Sequence, residues 1–228
     1  RNVNVMRDEV QTEDLEIPDY NIFNINYRYH DKGMVNYFTS DVDFQLSQHF
    51  SKFSLTTEYR KLYRNNRQIN LRFFGGVFLY NDLPGNDYFS FALDRPSDYL
   101  YDFNYYGRSE TSGFFSQQII MAEGGFKSKL EPEFANQWMT TVNASTNIWK
   151  WIYAYGDLGL VKNKYSSAKF VYDSGIRFNI VEDYFEVFFP IYSNLGWEIA
   201  QDNYDQKIRF IITLDLPNLM KIFSREWY

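Results

Sequence analysis

The chain has 228 residues, with 23 basic and 29 acidic side chains for a formal net charge of −6, and no cysteine. Disulfides and thiolate metal sites are excluded, and the acidic balance leaves no nucleic-acid footprint. No apolar run is long enough for a transmembrane helix.

Aromatic residues make up 21% of the chain, as 20 Tyr, 22 Phe and 5 Trp. A soluble core rarely needs so many. Rings accumulate where a protein meets the lipid–water boundary, apolar body inward and polar tip outward. Yet the mean hydropathy is −0.47. The two facts agree if apolar and polar residues alternate, because averaging along the chain then hides an apolar face.

In chain order, residues 1–18 are charged, with Asp8, Glu9, Glu13, Asp14 and Glu16 before Pro18, and read as a lead-in or linker. The opening on Arg1, without a charged and then apolar leader, reads as a processed or truncated chain. A period of two follows. Phe23, Ile25, Tyr27 and Tyr29 alternate with Asn24, Asn26, Arg28 and His30, and Lys32-Gly33 reads as a tight turn. The pattern repeats at Phe38–Leu46, Phe53–Arg60 and Gln68–Phe73. The runs are six to nine residues long, approaching the length of about ten that a tilted strand needs to cross a bilayer.

Residues 81–116 interrupt the pattern with Pro84-Gly85, Pro96, Gly107 and Gly113. A loop this long is usually functional. Its Tyr88, Phe91, Tyr99, Tyr101 and Tyr105 are candidates for contact with a protein partner, since dense rings on a connection are exposed unless they pack on something. The alternative is that the loop folds inward and plugs the domain. Strand parity puts this loop on the side of the short turns if the first strand rises from there. Either one strand is miscounted or the chain begins part-way round a larger barrel.

Alternation resumes weakly at Phe126, Ser128 and Leu130, then strongly over Gln137–Ile148, Ile152–Leu160, Phe170–Ile180, Phe185–Ile191 and Lys207–Asp215. The sum is ten candidate strands, and an even count suits a bacterial barrel. The expected fold is all-β: a transmembrane antiparallel barrel over 19–216, or an arc of a larger one. It carries the long loop 81–116 and a tail 217–228 suited to the membrane interface. Asp157, Asp173 and Arg177 fall on the polar phase of their strands. They are expected to form a lumen charge network, bracing the barrel or tuning selectivity.

Catalytic chemistry finds little support. His30 and His49 are the only histidines, His30 at an expected strand end before a turn and His49 in an expected tight turn, and there is no H-E-x-x-H or G-x-S-x-G. No cofactor or metal is expected. Gly75-Gly76 and Gly124-Gly125 lack a following lysine, so they read as positions where the chain needs space.

A resemblance appears in the C-terminal third. Asn143-Ala-Ser-Thr-Asn-Ile-Trp149, Tyr155-Gly-Asp-Leu-Gly159, Asp173-Ser-Gly-Ile-Arg177, Phe189-Pro-Ile-Tyr192 and Lys207-Ile-Arg-Phe-Ile-Ile-Thr-Leu214 succeed one another. This order resembles the last strands of the surface-antigen superfamily, to which BamA-like assembly factors belong. The resemblance implies that the closing strand is an insertion signal, with Lys207, Phe210, Ile212 and Leu214 matching its pattern. From about Tyr99 to the ending Arg225-Glu-Trp-Tyr228, the chain also resembles the C-terminal region of large Bacteroidota surface proteins, some of them gluzincin-type aminopeptidases. The implied function is an outer-membrane barrel in contact with lipid, acting as an anchor or structural subunit of a surface complex. The alternatives are a channel or assembly pore, and the anchor of a peptidase domain that lies outside this chain.

Overall fold

The structure is a computed structural model and describes residues 2–3, 20–33, 35–63, 67–82, 89–94, 113–121, 123–181 and 184–213. The lead-in, the tail, Leu214, and Tyr88, Tyr99, Tyr101 and Tyr105 lie outside the described residues.

The protein is all-β. One antiparallel sheet of eleven strands dominates it. Strand β1 (Asn2–Val3) pairs with β2 (Tyr20–Lys32). Then follow β3 (Asn36–Ser47), β4 (Phe50–Tyr63) and β5 (Arg67–Asn81), each paired with the one before. An insertion spanning 82–137 holds the short ribbon of β6 (Phe91–Ala92) and β7 (Phe134–Ala135). The sheet resumes with β8 (Trp138–Trp149) beside β5, then β9 (Ile152–Lys162), β10 (Lys169–Val181) and β11 (Phe185–Ser193). Both β12 (Gly196–Trp197) and β13 (Arg209–Ile212) pair with β11. Among the described residues no ladder joins the two ends of the sheet.

All but one of the ten expected strands are present. The exception is Phe126–Leu130, which lies in the insertion and joins no strand. Its alternation is only apparent. Phe126, Lys127, Ser128 and Leu130 are all buried, because the segment is pressed onto one face of the sheet. Lys207 is a second correction: it ends a 3-10 turn, Tyr204–Lys207, before the last strand begins.

The two faces of the sheet differ. On β9 the covered face presents Tyr153, Tyr155, Asp157 and Val161, all buried, while Leu158 and Leu160 on the opposite face are 52% and 42% exposed. The open face continues through Phe23, Ile25, Tyr27, Phe53, Leu71, Phe73, Val142 and Phe170, all exposed. Period-two sequence produces this directly, since successive side chains point to opposite faces. The sense is the reverse of a soluble sheet, for the exposed face is the apolar one.

Phe210 of β13 does not join the exposed apolar face. Phe210 is buried, stacked on Phe114 of the insertion with ring centroids 4.8 Å apart. Gln118 bridges the same residue and the Ile119 N–H donates to its carbonyl at 2.9 Å. The insertion thus covers β13 from the side, which the sequence pattern does not reveal.

Candidate functional site

The insertion meets the covered face in two zones. The first is apolar. Phe89, Phe91, Leu93, Phe126 and Leu130 join Tyr20, Phe50, Phe74, Phe78, Met139 and Val171 in one buried cluster. The Phe91 ring lies 4.8 Å from that of Phe78 and 5.5 Å from that of Phe74. Gly76 makes room for it, since a Cβ there would sit 2.5 Å from Phe91 Cζ. Phe91 is therefore no exposed contact residue. It is part of an inward packing, worth roughly 1.5–3 kcal/mol for a fully buried ring of this kind.

The second zone is polar and crosses five strands. Lys52 on β4 donates to Glu123 Oε1 at 2.7 Å. The Glu123 side chain also accepts the Ala92 N–H at 2.6 Å. Arg72 on β5 donates to the Glu123 carbonyl at 2.6 Å and to Asn143 Oδ1 on β8 at 3.0 Å. Asn143 Nδ2 donates to the Gly124 carbonyl and to Asp157 Oδ1 on β9, at 3.1 and 3.0 Å. Lys127 Nζ donates to Asp157 Oδ2 at 2.7 Å. The backbone N–H groups of Lys127 and Ser128 both donate to Asp173 Oδ2 on β10, at 2.8 and 2.7 Å.

Asp157 and Asp173 sit opposite each other in the β9–β10 ladder and are both buried. Two adjacent buried carboxylates are costly unless opposite charge and N–H donors reach them. Lys127 supplies the charge and its own backbone and that of Ser128 supply the donors. Gly125 shapes the approach. Its φ is +71°, a region that favours glycine, and a Cβ would lie 3.0 Å from both Arg72 and Asn143.

Of the three expected network residues, the structure joins Asp157 and Asp173 through the insertion and places Arg177 apart. Arg177 pairs with Glu186 of β11 at 3.1 Å and lies 4.3 Å from the Tyr153 ring centroid. Glu58, Arg72, Lys127, Asp157, Arg177 and Glu186 all line a cavity of about 120 Å³ beside the polar zone.

Sequence reading does not single out Lys52, Arg72, Glu123 or Lys127, and names Asn143 only as the start of a motif. A partial signal exists for Lys52, Arg72 and Asn143, which share the polar phase of their strands. Glu123 and Lys127 have none, because only the path of the insertion brings them there. His30 is exposed and His49 half-buried on a turn. Among the described residues no group of three His, Cys, Asp or Glu side chains could hold a metal ion. No family model, curated protein or solved structure matches the chain.

Proposed function

We propose that this chain is an outer-membrane β-barrel domain, or an arc of one, that anchors a surface protein or complex while its own insertion fills the interior. One observation carries the reading: the polarity of the sheet is inverted. The exposed face is apolar and ringed by Tyr29, Tyr63, Trp149 and Trp151 toward one end and by Tyr172, Tyr192 and Trp197 toward the other. The covered face buries Lys52, Arg72, Asp157 and Asp173. Lipid accepts the first face and a hydrogen-bonded lumen accepts the second.

The lengths of the connections support an orientation. One end of the sheet carries 33–35, 64–66, 150–151 and 182–184, all short. The other carries the insertion 82–137 and the connections 163–168 and 194–208, with one tight turn at 48–49. Outer-membrane barrels turn tightly on the periplasmic side and extend their loops outward. The insertion therefore belongs to the outer end.

An anchor with a filled interior is favoured over an open channel because Phe89, Phe91 and Phe126 are packed on the inner face. Planar-bilayer recording tests this. The expected result is stable incorporation without a steady unitary current. A persistent open-channel current from the parent protein would replace the anchor reading with the channel.

A further inference from the structure

The insertion fills only part of the covered face. Its rings pack with Phe50, Phe78, Met139 and Val171, near the strand ends where the long connections lie. Nearer the short turns, Glu58, Asn70, Ser145, Tyr153, Arg177 and Glu186 line the cavity of about 120 Å³. Among the described residues the insertion reaches this cavity only through Met121 and Lys127. Arg60, Gln68, Tyr153 and Asn179 line both the cavity and a wider space bordered by Gly33, Lys150 and Trp151 at the short turns. The cavity thus has the insertion at its outer end and continues toward the short-turn end.

Its walls are held in place by contacts among themselves. Gln68 Nε2 donates to Asn70 Oδ1 at 2.5 Å, and Asn70 Nδ2 donates to Ser145 Oγ at 3.2 Å. An amide carries two N–H bonds and a hydroxyl one O–H, so Asn70 and Ser145 can each donate once more. The charges are matched in the same way. Arg177 pairs with Glu186 Oε1 at 3.1 Å, Lys127 with Asp157 at 2.7 Å, and Arg72 with Glu58 Oε1 at 3.8 Å. The second oxygen of Glu58 and of Glu186 can accept as well. An ion of either sign entering here meets a like charge beside each opposite one. A zwitterion finds cation and carboxylate already joined. A neutral hydroxyl donates to a carboxylate and accepts from an amide without unbalancing any pair.

We propose that this cavity binds one neutral sugar ring, held by Glu58, Asn70, Ser145, Arg177 and Glu186 beneath Lys127 and admitted from the short-turn end. The volume suits such a ligand: at about 10–15 Å³ per water it has room for roughly ten waters, close to the bulk of one hexose. A site whose fixed polar groups bind hydroxyls rejects an analogue that lacks them, because those groups are then left unpaired. The site needs only the covered face and the insertion, so it stands apart from the membrane reading.

Methionine-methyl NMR of the protein in phosphocholine-detergent micelles, which carry no sugar, tests it. Met121 lines the cavity, and Met139, buried in the apolar cluster, serves as the reference. The expected result is a saturable shift of the Met121 methyl on titration with glucose, no movement of Met139, and no response to cyclohexanol, sodium acetate or glycine. Ser145→Leu fills the cavity without touching an ion pair and is expected to abolish the Met121 response while leaving the Met139 signal in place. A Met121 shift that grows linearly with glucose, or none, would overturn the proposal. So would an equal response to cyclohexanol, acetate or glycine, or a glucose response that survives Ser145→Leu. A spin label at Leu158→Cys reads the barrel separately. Label in lipid without a glucose response rejects only the sugar site, whereas label in water with the response intact rejects only the barrel.

Discussion

The ammonium of Lys127, on a segment that belongs to no strand, donates at 2.7 Å to Asp157 at the middle of β9, and both side chains are buried. Removing one member of a buried ion pair leaves the other uncompensated and costs about 3–5 kcal/mol. Lys127→Met is expected to lower stability by that order. Asp157→Asn should cost a similar amount, because it leaves the buried Lys127 ammonium without its carboxylate even though the amide oxygen can still accept from Asn143. Guanidinium unfolding in micelles measures both, and limited proteolysis within 113–137 reports release of the insertion. Parent-like behaviour of Lys127→Met in both assays would remove the polar zone as the tether.

The apolar zone can be tested through Gly76 and Phe91. Gly76→Ala puts a Cβ against the Phe91 ring, and Phe91→Ala empties the site at about 3–5 kcal/mol. In the Phe91→Ala background the added methyl loses its clash with the Phe91 ring and keeps only the 3.0 Å approach to Phe74 Cζ. The double variant is expected to be much less destabilised than the sum of the single changes. Additivity would show that the ring does not sit over Gly76.

Substitutions on β10 separate the two faces. Ile176→Arg is expected to weaken insertion into lipid vesicles by about 2–4 kcal/mol near the midplane. Arg177→Gln, on the covered face, should leave insertion nearly unchanged while losing the Glu186 pair. Phe210→Arg belongs to neither test, because that ring packs on Phe114. Equal insertion defects for positions 176 and 177 would mean that the faces are wrongly assigned.

Tyr204, in the connection 194–208, donates to the Pro190 carbonyl at 2.9 Å. Burial, and after it the charge of Glu198, holds its phenol above the ordinary value of 10.0. A folded value above the unfolded one means that the neutral form is favoured by folding. Its contribution is complete below the unfolded value and is lost as pH rises through the folded one. Tyr204→Phe should take one phenol's absorbance from the late part of an ultraviolet titration. Loss of that absorbance from the early part instead would contradict this packing.

The strands were legible because alternation is a local property. Phe53, Leu71, Leu158 and Phe170 each declare their face from their immediate neighbours. Phe126–Leu130 misled for the same reason: alternation reports only a segment's own pattern, and this segment is buried on a sheet rather than within one. Asp157 and Asp173 were legible because they carry charge on the polar phase of their strands. Lys127 and Glu123 were not, since their meaning depends on a crossing of the sheet that spans β4 to β10. Phe91 could be read as a contact or as a plug, and only its position over Gly76 decides.

The inverted polarity of the sheet is the central claim, and a cysteine scan along β9 tests it most directly. The natural chain has no cysteine, so each label is unique. Nitroxides would be placed one at a time at positions 153 to 160 in vesicle-reconstituted protein, and their accessibility to oxygen and to a water-soluble nickel complex compared. The expected result is a period of two, with 154, 158 and 160 in lipid and 153, 155 and 157 shielded from it. Uniform access to the nickel complex at 158 and 160 would place the apolar face in water and contradict the account.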